Sequence, residues 1–335
     1  MPRPPPAPRQ NATVQDAMMN WADNGTPITR MCGEWAKANR FHATAIAGAS
    51  GLTFIFEKEY LAHVHAHTPR TPIAELPHDT NVFRELGGEV MEQFSTLAFV
   101  YLPLPPGEKI LAISYGSDGR RGRIRRPGMI VHTKLAGTVF IGHIMPINVP
   151  CIPLSEEPEM LFTRLQISFV SGFGAYNSKQ VSQLKYTDKV THPPAAMTFG
   201  QYEAFKLTSY APLDNIVRVD VAVEPISEAL QGIIFYYTDG AQRSVGQYRI
   251  GYNAIQTYMN PACLCLRQEQ LQGTRPAAHI LRVTGSPSCH EGHETHTREN
   301  GCTCYRLTGF IRAQFDSESI SLHFADREAQ RAETM

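Results

Sequence analysis

The sequence predicts an α+β protein: a small α/β domain over residues 14–150 and an all-β domain, prism or sandwich-like, over 158–326. Three observations predict it. A stripe of apolar residues at helical spacing runs through 80–101 among short strand-like runs. Beyond residue 158 the chain consists of short β-branched and aromatic runs separated by turn signals. Between these regions, residues 149–158 carry three prolines and an acidic pair, the composition of a linker.

Taken in order, residues 1–13 form a proline-rich tail that favours extended conformations and builds no core. Residues 14–21 and 31–40 read as short helices, the first stopped by Asn24-Gly25 and the second anchored by Trp35. In the 80–101 segment Val82, Phe83, Leu86, Val90, Phe94, Leu97, Ala98 and Tyr101 recur at spacings of three and four, which predicts one amphipathic helix. Asp79 or Thr80 would cap it and Pro103 would end it. Gly87-Gly88 costs that helix about 1 kcal/mol per glycine relative to alanine. Strands are expected at 52–57, 60–67, 109–115, 129–133 and 138–145.

In the second half strands are expected at 160–170, 216–223, 230–238, 243–252, 263–267, 279–284, 302–315 and 319–324. Val217, Val219, Val221 and Val223 alternate as one buried face requires, and Asp239-Gly240 supplies a tight hairpin turn. Residues 327–335 read as a flexible tail.

The 335-residue chain is 42% hydrophobic and balances 31 basic against 31 acidic side chains. Such a chain builds a core, and zero net charge argues against capture of nucleic acid or anionic membrane by the whole surface. No apolar run approaches the roughly 20 residues that span a bilayer, and the proline-rich start lacks a signal-peptide core. A cytoplasmic protein with reduced thiols is the expectation.

The run Leu230-Gln231-Gly232-Ile233-Ile234-Phe235-Tyr236-Tyr237-Thr238-Asp239-Gly240, with Val245-Gly246-Gln247 after it, resembles a segment of jacalin-like β-prism domains and of fungal multidomain proteins. Leu307-Thr308-Gly309-Phe310-Ile311 through Phe315 resembles a later strand of the same group. That resemblance implies a β-prism. The sugar-binding glycine-x-x-x-aspartate loop of those lectins has no counterpart after Gly309, so lectin activity does not carry over. In the first half, Gly48-Ala49-Ser50-Gly51 followed by Leu61-Ala62-His63-Val64 is similar in layout to chemoreceptor and toxin deamidases. Their nucleophilic cysteine is missing between Gly48 and Leu61, which leaves Ser50 as the substitute.

Five of the seven cysteines fall between Cys263 and Cys304. Cys263-Leu264-Cys265 and Cys302-Thr303-Cys304 each place two thiols on one face of a strand, and Cys289, His290 and His293 lie in the polar stretch between them. Converging thiolates and imidazoles suit a structural zinc ion, while buried thiols that merely pack are the simpler alternative. His63, His65 and His67 line one face of a strand, where two imidazoles and a third ligand could hold a catalytic metal, or where all three could form a plain polar face. Arg120, Arg121 and Arg123, after the turn Gly116-Ser117-Asp118-Gly119, form a basic strip able to bind phosphate; without interleaved aromatics it makes a nucleic-acid partner unlikely.

Two functions follow as expectations. The first is a non-catalytic or accessory binding protein with a zinc-stapled β domain, its partner an unidentified protein or small molecule. The second is an amide or ester hydrolase using Ser50 with a histidine, or metal-bound water on His63 and His65.

Overall fold

The computed structural model describes residues 21–23, 39–57, 60–74, 97–117, 127–143, 152–166, 169–177, 206–270, 279–286 and 302–325. Among them there is no helix, and the strands form six small antiparallel sheets. The α+β class is therefore corrected to all-β. Residues 80–96 of the expected long helix lie outside the described residues, but its end is strand β5 (Leu97–Pro103). The expected helices at 14–21 and 31–40 also lie outside, except that Trp21 opens β1 (Trp21–Asp23) and Asn39 opens β2 (Asn39–Ala45). The physical reason is visible in β5. Ala98, Val100 and Leu102 enter the main core while Leu97 and Phe99 fill a second cluster with Ile55 and Ala74. An apolar run buried on both faces satisfies helical spacing as well as strand alternation.

In the first half, β3 (Gly51–Glu57) lies between β4 (Tyr60–His67) and β5. β6 (Ile110–Ser117) lies between β7 (Pro127–Thr133), which carries β8 (Thr138–Gly142) on its far side, and β9 (Ile152–Glu156). β10 (Met160–Gln166) and β11 (Phe169–Tyr176) return to pair with β2 and β1, so the ladders of this half run on to Tyr176, and residues 152–156 of the expected linker are strand β9.

The second half repeats this plan. β13 (Ile216–Val223) lies between β14 (Leu230–Tyr237), which carries β15 (Gln242–Gly246), and β16 (Ala254–Met259). β17 (Cys263–Gln270) lies between β18 (His279–Ser286) and β19 (Cys302–Arg306). The closing hairpin β20 (Phe310–Phe315) and β21 (Ile320–Ala325) pairs back with β12 (Leu207–Pro212). Among the described residues each half is thus three sheets, and in each the first strand pairs with the last hairpin.

One hydrophobic cluster runs through both halves, from Ile46, Phe54 and Phe173 to Val221, Phe235 and Phe315. The expected valine alternation supplies part of it: Val219, Val221 and Val223 enter the cluster while Asp220 sits on the opposite face. The Asp239-Gly240 turn joins β14 to β15 as expected, with Gly240 at φ 86° and the Asp239 carboxylate accepting from the Ala241 N–H at 2.9 Å. Gly232 and Gly246 are direct cross-strand partners, and a Cβ on Gly232 would collide with the Gln247 carbonyl oxygen. Because the obstacle is backbone rather than a movable side chain, Gly232→Ala is expected to lower stability by roughly 1–3 kcal/mol. Urea unfolding checks this as a reduced midpoint at unchanged slope.

Candidate functional site

β5 and β15 run side by side and join their two sheets into one surface. The Tyr248 N–H donates to the Phe99 carbonyl at 2.9 Å and the Phe99 N–H donates to the Gln247 side chain at 3.2 Å. The Ser244 hydroxyl donates to the Tyr101 carbonyl. Since strand side chains alternate, the face away from the core collects the polar residues of every strand in this surface. They are the histidines of β4, Thr53, Tyr101, Tyr236, Arg218, Asp220 and Thr257.

At one end lie the histidines. Val64 and Ala66 pack into the main core, and His63, His65 and His67 alternate with them. His67, only 1% exposed, has both ring nitrogens engaged: Nδ1 lies 2.9 Å from the Pro72 carbonyl and Nε2 lies 2.6 Å from the Thr53 hydroxyl. A carbonyl only accepts, so Nδ1 carries the proton and Nε2 accepts from Thr53. By the same logic His65 Nε2, 3.1 Å from the Thr71 carbonyl, is the donor there. His63 differs, because its buried Nδ1 has no hydrogen-bond partner among the described residues and its ring meets His42 edge-on at 5.8 Å. Burial first, then the neighbouring His42 and His65, push its pKa down to about 4. Burial lowers that of His67 also.

Ser50 stands exposed at the start of β3. Its hydroxyl donates to the His67 carbonyl at 3.2 Å, and its own carbonyl accepts from the Tyr101 hydroxyl at 3.3 Å. Ser50 and the histidine strand are therefore neighbours, joined through backbone groups. His132 and His143 belong to another sheet region, where they meet Thr138 and the Lys206 carbonyl.

The middle and far end are aromatic and ionic. Tyr248 stacks on Tyr101 with centroids 5.3 Å apart, and the Arg249 guanidinium lies over both Phe99, at 4.9 Å, and Tyr252, at 4.7 Å. Next to them Asp220, 2% exposed, accepts two bonds from Arg218, at 2.9 and 2.5 Å, one from the Tyr236 hydroxyl at 2.7 Å and one from Thr257 at 2.8 Å. Burial pushes the Asp220 carboxyl up, but the hydrogen bonds from Arg218, Tyr236 and Thr257 outweigh it and hold the group below its ordinary range. Arg218 also covers the Tyr236 ring at 4.4 Å. Sequence reading did not single out this network; its one signal was a carboxylate set between Val219 and Val221 in an apolar strand.

The cysteines occupy a different sheet. Cys265 and Cys304 are direct cross-strand partners with sulfurs 3.0 Å apart, and Cys263 lies 4.0 Å from Cys265. Cys302 sits opposite Arg267 in the register. Cys289, His290, His293, Arg120, Arg121 and Arg123 lie outside the described residues. Among the described residues no group of three or more histidine, cysteine or acidic side chains is placed to hold a metal ion. Nor, among them, is any helix long and apolar enough to cross a membrane. No family model and no curated protein matches the chain.

The histidine end sets a pH dependence. His63 takes a proton in the unfolded chain near its ordinary 6.5 but in the folded protein only near 4, so acid favours unfolding. Stability should be complete above about pH 6.5 and fall between pH 6.5 and 4, by at most about 3–4 kcal/mol from this residue. Urea midpoints at pH 7.5 and 4.5 measure the loss, and His63→Asn should flatten it.

Proposed function

We propose that this chain is a non-catalytic binding protein whose ligand rests on the outer face of the joined β5 and β15 sheets. The observation that carries this reading is the shelf built by Tyr248, Arg249 and Tyr252 beside the Arg218–Asp220 pair, with Tyr252 49% exposed. Stacked rings and guanidinium planes offer flat apolar contact with fixed polar edges, and they lose little rotamer freedom when covered. Asp220 is held ionised by three donors, so it can order the shelf without itself meeting the ligand. The ligand that suits such a shelf is a small polar molecule with one flat face and hydrogen-bonding groups around it.

The hydrolase reading has less behind it. The Ser50 hydroxyl and the His65 and His67 nitrogens already bond to carbonyls and to Thr53, and among the described residues no imidazole shares a hydrogen bond with the Ser50 hydroxyl.

Titration of the full chain with a panel of neutral sugars, nucleosides and small carboxylates, followed by tyrosine fluorescence and amide shifts, tests the binding reading. A ligand should move Tyr248, Tyr252 and Arg249 first, and Tyr252→Ala or Arg249→Ala should weaken it about tenfold or more. Neither variant should shift the unfolding midpoint by more than about 1 kcal/mol, since both side chains stand at the surface. Binding that ignores both substitutions would overturn the proposal.

A further inference from the structure

The thiol cluster of β17 and β19 lies apart from the shelf and carries an inference independent of it. Cys265 and Cys304 face each other across an antiparallel ladder, 39 residues apart in the chain. Direct partners in such a ladder have Cα atoms about 4.5–5.5 Å apart, within the span of a disulfide. Their backbones are fixed from below, because Leu264 and Leu266 of the same strand enter the main core, with Tyr305 packed against it. The sulfurs already touch at 3.0 Å, so bond formation asks for no strand movement. Accessibility is graded across the cluster: Cys304 is exposed, whereas Cys263 and Cys265 are buried at 1% and 6%.

We infer that Cys265 and Cys304 are a reversible cross-strand disulfide site, oxidised by exchange with a low-molecular-weight disulfide that reaches Cys304 from solvent. In the first step the Cys304 thiolate attacks one sulfur of the external disulfide; a Cys304–S–S–R bond forms and one RS⁻ leaves, taking up the proton that Cys304 gave to solvent. In the second step the Cys265 sulfur gives its proton to solvent and attacks the Cys304 sulfur, and the second thiol leaves as RSH. The protein dithiol loses two electrons and the external disulfide gains them. A dithiol reductant reverses both steps. Burial, together with the adjoining Cys304 and Cys263, raises the Cys265 pKa. Cys263 lies 4.0 Å from Cys265 on the same strand face, farther than Cys304 at 3.0 Å.

The consequence is a staple whose state follows the surrounding redox poise: closed, it fastens β19 to β17 covalently; open, it leaves that edge to its ladder hydrogen bonds and to the packing of Tyr305. To test it, the full chain is incubated with oxidised glutathione, its remaining thiols are alkylated, and tryptic peptides are mapped without reductant. The expected result is loss of two titratable thiols of the seven and a link between the peptides 250–267 and 299–306, with fragmentation assigning it to Cys265 and Cys304. Cys304→Ser should abolish the link, while Cys263→Ser and Cys302→Ser should keep it. Since fragmentation assigns the bond in the unmodified chain, misfolding of a variant would leave the test intact. Seven thiols still titratable, a link assigned to another pair, or stoichiometric zinc that shields the cysteines from glutathione would each overturn the inference.

Discussion

The outer face exists because β5 and β15 lie edge to edge. Gln247 is the residue on which that junction turns: its side chain accepts from the Phe99 N–H and donates to the Asp316 carbonyl at 2.6 Å, while its N–H donates to Gln231 at 2.8 Å. One amide thus ties the first half, the β14–β15 hairpin and the β20–β21 turn together. Gly246 and Gly232 beside it let the strands close in where a side chain would intrude. Because backbone groups at such a junction are buried, each must be paired, and Gln247 pairs several at once.

Buried charge follows the same economy of partners. Arg243, of β15, reaches across to the first half, where its guanidinium donates to the Ala136 carbonyl, and it lies 5.5 Å over the Tyr210 ring of β12. Burial lowers its pKa, and Tyr237, Tyr210 and Glu108 act the other way. Glu108 in turn accepts from the Leu135 and Ala136 N–H groups at 2.8 and 2.9 Å, so the β7–β8 turn that receives the arginine is itself held from below. Contacts of this kind fasten the two halves through polar side chains as well as through the shared core. The halves therefore present one continuous face rather than two separate ones.

The duplicated three-sheet plan gives the two halves different outward chemistry from equivalent strands. β4 of the first half carries alternating histidines, and its counterpart in the sheet order, β14, carries Tyr236; the central strand β3 carries Thr53 on its outer face and the central strand β13 carries Asp220. Inward positions on both sides are mostly apolar, among them Leu52, Phe54, Val219 and Val221. Function on such a scaffold resides in the outward positions, which packing leaves free to vary.

Much of the strand pattern was legible in the sequence because period-two alternation and tight-turn residues are local properties: 216–223, 230–238 and the Asp239-Gly240 turn stand where alternation and turn chemistry put them. That Cys263 and Cys265 share a strand face was legible for the same reason, whereas the pairing of Cys265 with Cys304 across the ladder was not. What only the tertiary structure decided was non-local. Leu97–Pro103 is a strand because partners wait on both of its faces, which no local spacing reveals. The Asp220 network and the aromatic shelf gather residues from Phe99 to Thr257 that are distant in the chain and carry no shared motif. Ladder register alone brings them together, and register is set by the burial of the opposite face.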